Sequence, residues 1–514
     1  MVWNDFRNGA NSDLYAQRIS ASGEVLWTLD GVPVVTGPGY QAATAIVADG
    51  AGGVIVAWHH SLHPVNDIYA QRIDGSGALL WTPGGVALCT AANAQFSPCI
   101  ASDGAGGAIV AWHDFRFDQF EYPDIFAQRV DASGTVLWTH NGVAVCTVDE
   151  HQEGTQIVSD GSGGAIIGWW DYRNFTNTDI FAQRIDAAGA ALWPVNGVNA
   201  SPAAQFQLYV RIVSDGAAGA ILTWQDHRNS TPDVYVQRLN ASGAPQWGVS
   251  GLSISTTGWD VRPELVSDGA GGAIITWEDS LTSDSRHDIF MQRINASGAP
   301  QWTAGGVGLA VALGNQTSVT MAADGSGGTF VAWEDSTTGT STHYDIRVQR
   351  INASGAFQWT PGGVAVCDLF NAQRAPVILA AAGGGAIVAW QDFRTGSNYD
   401  IYALRLGPEG SIPTGVDHTP PVSAVALGSN HPNPFSGATA IDLDLVRDAN
   451  VAVDVFDVAG RRVRQLNFGR IAAGSKSMTF DGMGDDGRPL PSGIYFYRIN
   501  ASGVTATRKM VIAR

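Results

Sequence analysis

From Ala108 to Trp112 the chain reads AIVAW, apolar at five successive positions, and from Asp124 it reads DIFAQRV. A strand that is apolar at every position, rather than at every second one, is covered on both faces. The run that ends in tryptophan returns at Trp3, Trp58, Trp112, Trp169, Trp224, Trp277, Trp333 and Trp390, spaced 53 to 57 residues apart. The pattern therefore predicts eight copies of one unit over the first 406 residues.

Each unit predicts four strands. An Asp-Gly turn such as SDGAGG joins the first to the second, because Asp-Gly supplies the positive φ of a tight hairpin. An ASG turn such as Asn240 to Gly243 follows the third strand, and the fourth is expected to carry Trp27, Trp81, Trp138, Trp193, Trp247, Trp302 or Trp359. The sequons at Asn240, Asn295, Asn352 and Asn500 fit the same turn and are read as turns. The distance from the second-strand Trp to the third-strand Asp varies from 9 to 12 residues, so length variation is confined to one loop per unit. Small four-stranded units with doubly buried strands predict an all-β fold, a β-propeller of about eight blades, with seven as the alternative. The variable loops share one rim, where a rigid scaffold would place binding.

The repeats are expected over residues 1–406, a Gly/Pro-rich linker over 407–426 and a small β-sandwich over 427–514. In the last segment stand Asn430-His-Pro432-Asn433-Pro434-Phe435, VDVFDVAGR around Gly460, Pro491-Ser-Gly493-Ile-Tyr-Phe-Tyr and Arg508-Lys509-Met510-Val511. Together these resemble the C-terminal sorting domain of type IX secretion cargo, and the immunoglobulin-like domain of flagellar hook-capping proteins is closely similar. The resemblance implies export, an extracellular or outer-membrane-surface location, the secretion machinery as a partner, and a sorting motif at Pro432, Asn433, Pro434, Phe435, Gly460, Gly493 and Lys509.

The net charge of −18 is uneven: residues 1–415 carry 18 Arg, no Lys and 38 acids. That surplus argues against nucleic acid as a partner of the repeats. No run of about 18 apolar residues exists to span a membrane. Met1 leads into VWNDFR in mid-strand, so a truncated N-terminus with a leader upstream is expected. Cys89, Cys146 and Cys367 occupy one repeat position and are read as small buried apolar groups; only Cys89 and Cys99 are placed to bridge.

The recurring chemistry is Trp-x-Asp-x-Arg, seen at Asp5 and Arg7, Asp114 and Arg116, Asp171 and Arg173, Asp226 and Arg228, and Asp392 and Arg394. It reads either as an anion- or sugar-binding rim or as an ion-paired clamp tying each loop to its blade. Recurrence favours the clamp and disfavours catalysis, which needs different groups converging at one place. The third-strand arginines, Arg18 and Arg129 among them, are expected beside it. The acidic turns lack the alternating ligands of a calcium loop, and His59, His60 and His63 lack a spaced partner, so no metal, cofactor or catalytic residue is assigned. Glu278-Asp279 and Glu334-Asp335 are expected to point apart. Trp170 and Trp259 lie outside the repeat positions and are candidates for stacking on sugar. The reading is a secreted or surface-displayed binding or scaffolding module with a protein or glycan ligand; the alternative is a glycan-active hydrolase or lyase on a sialidase-like propeller.

Overall fold

In the computed structural model, residues 1–514 are described except 8, 10, 29, 63–64, 118–121, 256–257, 281–285, 337–343, 368–370, 395, 397, 413–424, 446–448, 459, 473 and 502–503. The described residues form strands and no helix, in two units, 1–413 and 414–514. The first is a β-propeller-type array of eight antiparallel sheets, each a meander in chain order. Blade 3 is typical: Gln95–Ser102, Ala108–Asp114, Asp124–Val130 and Val143–Cys146. Blade 1 has three strands, Val2–Asp5, Asp13–Ala16 and Val32–Val35, and so has blade 8, Gln373–Ala380, Ala386–Asp392 and Asp400–Leu406.

The doubly apolar strands follow from stacking. Ala108, Val110 and Trp112 of blade 3 face back onto Ile55, Ala57 and Ile68 of blade 2, while Ile109, Ala111 and Ile125 face forward onto Ile167, Trp169 and Phe181 of blade 4. Every one of these side chains is at most 7% exposed, and each valine, isoleucine and phenylalanine contributes on the order of 1.5–3 kcal/mol by leaving water. Seven such clusters join successive blades from 1–2 to 7–8. Among the described residues no cluster joins blade 8 to blade 1.

Two expectations are corrected. The recurring tryptophan expected in the fourth strand does not lie in it. After the bridge Val130↔Val136 the chain makes a further turn, and the fourth strand is the following VAVC segment, paired with Ala127, Phe126 and Ile125. Gln128 is the reason: its side chain donates to Thr139 O (2.8 Å) and accepts from Trp138 N (3.0 Å), holding the loop while Trp138 swings onto the next blade. There the indole donates to Ala187 O (3.0 Å), and Gly189 lies so close beneath it that a Cβ would meet the ring at 3.0 Å. The third-strand arginines are also not beside the rim motif. Arg129 pairs with Ile109 in register, at the Asp-Gly end of the sheet, and binds Asp103 (2.9 Å) and Ala187 O of blade 4 (3.0 Å). The period of a strand puts Asp114 and Arg129 at opposite ends of one sheet.

The repeat unit runs on to Ile412, past Leu406 where the linker was expected to begin. Gly407 N donates to Ser411 O (2.8 Å), and Gly410 lies against Trp359 of blade 7. The rest of the expected linker falls largely outside the described residues. The second unit is an Ig-like sandwich of a three-stranded sheet, Val425–His431, Thr439–Leu445 and Gly474–Phe480, and a four-stranded sheet, Arg462–Ile471, Ala449–Asp457, Gly493–Ala501 and Val504–Ile512. Ile441, Leu443 and Phe480 from one sheet and Val453, Tyr497 and Met510 from the other form its core.

Candidate functional site

The rim end of the array is the end where second strands finish and third strands begin, so Asp114 stands opposite Asp124. The Asp114 carboxylate is fully buried and accepts from Trp112 Nε1 (2.7 Å), Arg116 N (2.9 Å), Arg116 Nε (2.9 Å) and an Arg116 terminal nitrogen (2.6 Å). The same guanidinium donates to Asn141 O (2.7 Å) and lies 3.7 Å over the Phe126 ring. Asp171 with Arg173 over Phe181, Asp226 with Arg228 over Tyr235, and Asp392 with Arg394 over Tyr402 repeat the arrangement, as Asp5 does with Arg7 over Tyr15. Burial raises the Asp392 pKa, but hydrogen bonds from Arg394 and Trp390 outweigh it and the net shift is downward. These carboxylates are spent on partners within their own blade and, for Asp114, Asp171 and Asp392, on the thiol of Cys89, Cys146 or Cys367 from the blade before.

The Asp-Gly carboxylates are committed too. Asp103 accepts from Ala105 N and Gly107 N (both 2.8 Å) with one oxygen and from Arg129 with the other. Among the described residues, no three His, Cys, Asp or Glu side chains are arranged to hold a metal ion. All four cysteines are free thiols, and burial pushes Cys89, Cys99 and Cys146 up to about 12.

Three blades break the pattern. In blade 2, His59 packs edge-on to Phe96 and His60 contacts Pro38 O (3.0 Å) and the Tyr69 ring; His63 lies outside the described residues. In blade 7, Asp335 pairs with Arg347 (2.6 Å) while Glu334 accepts from Ala375 N of blade 8 (2.8 Å). In blade 6, Asp260 replaces the Gln found at Gln95, Gln152, Gln207, Gln316 and Gln373, and it lies in register with Asp279. Burial, then the charges of Asp279 and Asp233, raise Asp260 to about 7, and among the described residues neither of its carboxyl oxygens has a hydrogen-bond partner. Glu278 turns the other way, to Arg262 (3.0 Å) and Ser318 N (2.9 Å), with its pKa raised by burial. A protonated carboxyl beside a carboxylate is an arrangement that can support acid catalysis. Here Asp260 is 0% and Glu278 1% exposed, so the group is closed to a substrate.

An opening lies elsewhere on the rim. Phe117, Tyr122 and Asp124 of blade 3 and Thr147, Val148, Asp149 and Glu150 of the connection to blade 4 line a cavity of about 510 Å³. Phe117 is 73% exposed, and Tyr122 is braced edge-on by His151 with ring centroids 4.9 Å apart. None of these residues was singled out from the sequence. The available signal was the loop FRFDQFEYP, among the longest of the variable loops and rich in aromatic and acidic side chains. Of the two tryptophans proposed for stacking, Trp170 packs on Tyr209 of blade 5 and Trp259 is 50% exposed on blade 6.

In the C-terminal unit, Pro432 and Pro434 follow cis peptide bonds. Asn433 accepts from Val511 N (2.9 Å), Phe435 is buried and bridges the last strand, and Gly460 closes the turn after Asp457 at φ 77°. Gly493 opens a strand and Lys509 is exposed on the next.

Residues 429–505 match the FlgD Ig-like domain family. The chain is also similar to a solved FlgD from P. aeruginosa, 32% identical over 14% of this chain and 58% of that one, with a TM-score of 0.13. The repeats are similar to a Dyadobacter fermentans protein of unknown function (8% identity, 72% of this chain and 95% of that one, TM-score 0.38). They are also similar to a Hadza microbial sialidase (11% identity, 77% and 73%, TM-score 0.35). No curated protein matches the chain in sequence.

Proposed function

We propose that the repeat array is a binding module whose ligand sits in the rim cavity between blades 3 and 4, and that the Ig-like unit is a handle for export and surface attachment. One observation carries the first part. The acids of the recurring rim clamps are spent on groups of their own and the preceding blade, whereas this cavity offers an exposed aromatic, a braced tyrosine and the carboxylates of Asp149 and Glu150, neither of them buried. Aromatic faces with flanking carboxylates suit the apolar faces and hydroxyls of a sugar.

Support for the handle comes from the motif residues. Pro432 to Phe435 and Gly460 shape the sandwich, while Lys509 stays on its surface for a partner to read.

A glycan array probed with the intact chain, with Phe117→Ala and Tyr122→Ala beside it, tests the binding reading. Each variant is expected to weaken binding about tenfold or more, with no hydrolysis of the bound glycan. Undiminished binding in both variants would remove the cavity from the proposal. Turnover abolished by Asp260→Asn would move the site to blade 6 and establish the hydrolase alternative. For the handle, fusing residues 414–514 to a reporter in a type IX-competent bacterium should give export that Lys509→Ala reduces.

A further inference from the structure

We infer that the array associates head to tail with a second copy of this chain, the forward face of blade 8 receiving the backward face of blade 1. The structure contains seven copies of one interface, always a forward face on a backward face. Among the described residues one face of each kind is uncovered. On blade 8 the forward positions include Val377, Leu379 and Ile401, exposed by 58%, 68% and 38%, where Val234 of blade 5 at the position of Ile401 is 0% exposed. On blade 1 the backward positions are Trp3, Tyr15, Ile19 and Val25, half-buried or exposed, where Trp58 and Trp112 are fully buried.

A second feature points to the same pairing. The turn glycines Gly77, Gly134, Gly189, Gly243, Gly298, Gly355 and Gly410 each lie under the tryptophan of the preceding blade, too close for a Cβ. Gly23, the same residue in blade 1, faces open space. On the other side, Arg405 of blade 8 occupies the position of Arg129, but Ala381 stands in place of its Asp partner and its Nε is buried without an acceptor. One terminal nitrogen of Arg405 donates to Ala382 O (3.1 Å), and the other has its match in the Ala21 carbonyl, as Ala187 O accepts from a terminal nitrogen of Arg129. Blade 8 has no counterpart of Trp138, so the contact rests on apolar strands and Arg405 and is weaker than the internal seven. Unmatched complementary faces on one chain make a heterologous contact. The acidic repeats repel one another, so salt strengthens it.

Sedimentation velocity of the 514-residue chain, from about 1 to 100 µM at low and high salt, tests this. The average mass is expected to exceed one chain and to rise with concentration and salt. Leu379→Glu and Val25→Glu, each checked for native circular dichroism with Val377→Glu as the substitute for a misfolded Leu379→Glu, should each stay at one chain mass. Mixed in equal amounts they should form a pair and nothing larger, because each retains the one face the other lacks. A single-chain mass for the unmodified protein at every concentration would overturn the inference in favour of the same faces meeting within one molecule. Association untouched by either variant, or variants that fail to pair, would overturn it as well.

Discussion

At the scale of single residues, the array is governed by buried charge that is matched in most blades and mismatched in one. Removing Asp114 strands the Arg116 guanidinium and the Trp112 N–H in a site closed to water, so Asp114→Ala is expected to cost about 3–5 kcal/mol in denaturant unfolding. Asp260 is the mismatch. Its folded pKa of about 7 lies above the ordinary carboxyl value, so its contribution is fully favourable below about pH 4 and is lost as pH rises through 7. Asp260→Asn is isosteric and cannot ionise; thermal melts should show little change at pH 4 and a gain of roughly 3–6 °C at pH 8. A gain of equal size at both pH values would show that the carboxyl does not titrate in the fold.

At the scale of the element, the unit is a four-stranded sheet whose third-to-fourth connection is tied by one glutamine. Gln17, Gln71, Gln128, Gln183, Gln237, Gln292 and Gln349 all donate to the loop carbonyl eleven residues on. Blade 8 carries Leu404 there, no tryptophan follows it, and among the described residues it has no fourth strand. Gln128→Leu should therefore release Trp138 from Ala187 O, seen as red-shifted tryptophan emission and a loss of about 1–3 kcal/mol. Gly134→Ala meets two obstacles, a φ of 87° and the Trp81 ring 2.8 Å from the new Cβ, and should cost a comparable amount. The fixed spacing from arginine to tryptophan was legible in the sequence as a rigid connection. Its path was not, because a tryptophan nine residues after an arginine fits a strand and a folded loop equally well until Gln128 is seen to hold it.

At the scale of the whole array, stability is carried from sheet to sheet, each blade being covered by its neighbours. Blades 1 and 8 each have a single neighbour among the described contacts, and amide exchange in Val2–Ala16 and Asp400–Leu406 should be faster than in blades 3 to 6 by about tenfold or more. Mass spectrometry after deuterium labelling reads this directly, and equal protection in all eight blades would show that the end faces are covered. The FlgD-like match and the sandwich agree for residues 429–505, where turn prolines, glycines and alternating apolar residues leave few other folds open.

By itself the sequence determined the repeat, its strand count, the double burial of the second strand and the change of fold after the repeats, because period and apolar pattern are properties of neighbouring residues. The end of the sheet on which each arginine acts, the closure of Asp260 and Glu278 to substrate, the cavity between blades 3 and 4 and the two uncovered end faces were decided only by the tertiary structure. Each of these depends on residues well separated along the chain coming together or failing to, and a one-dimensional pattern contains no distance between blades.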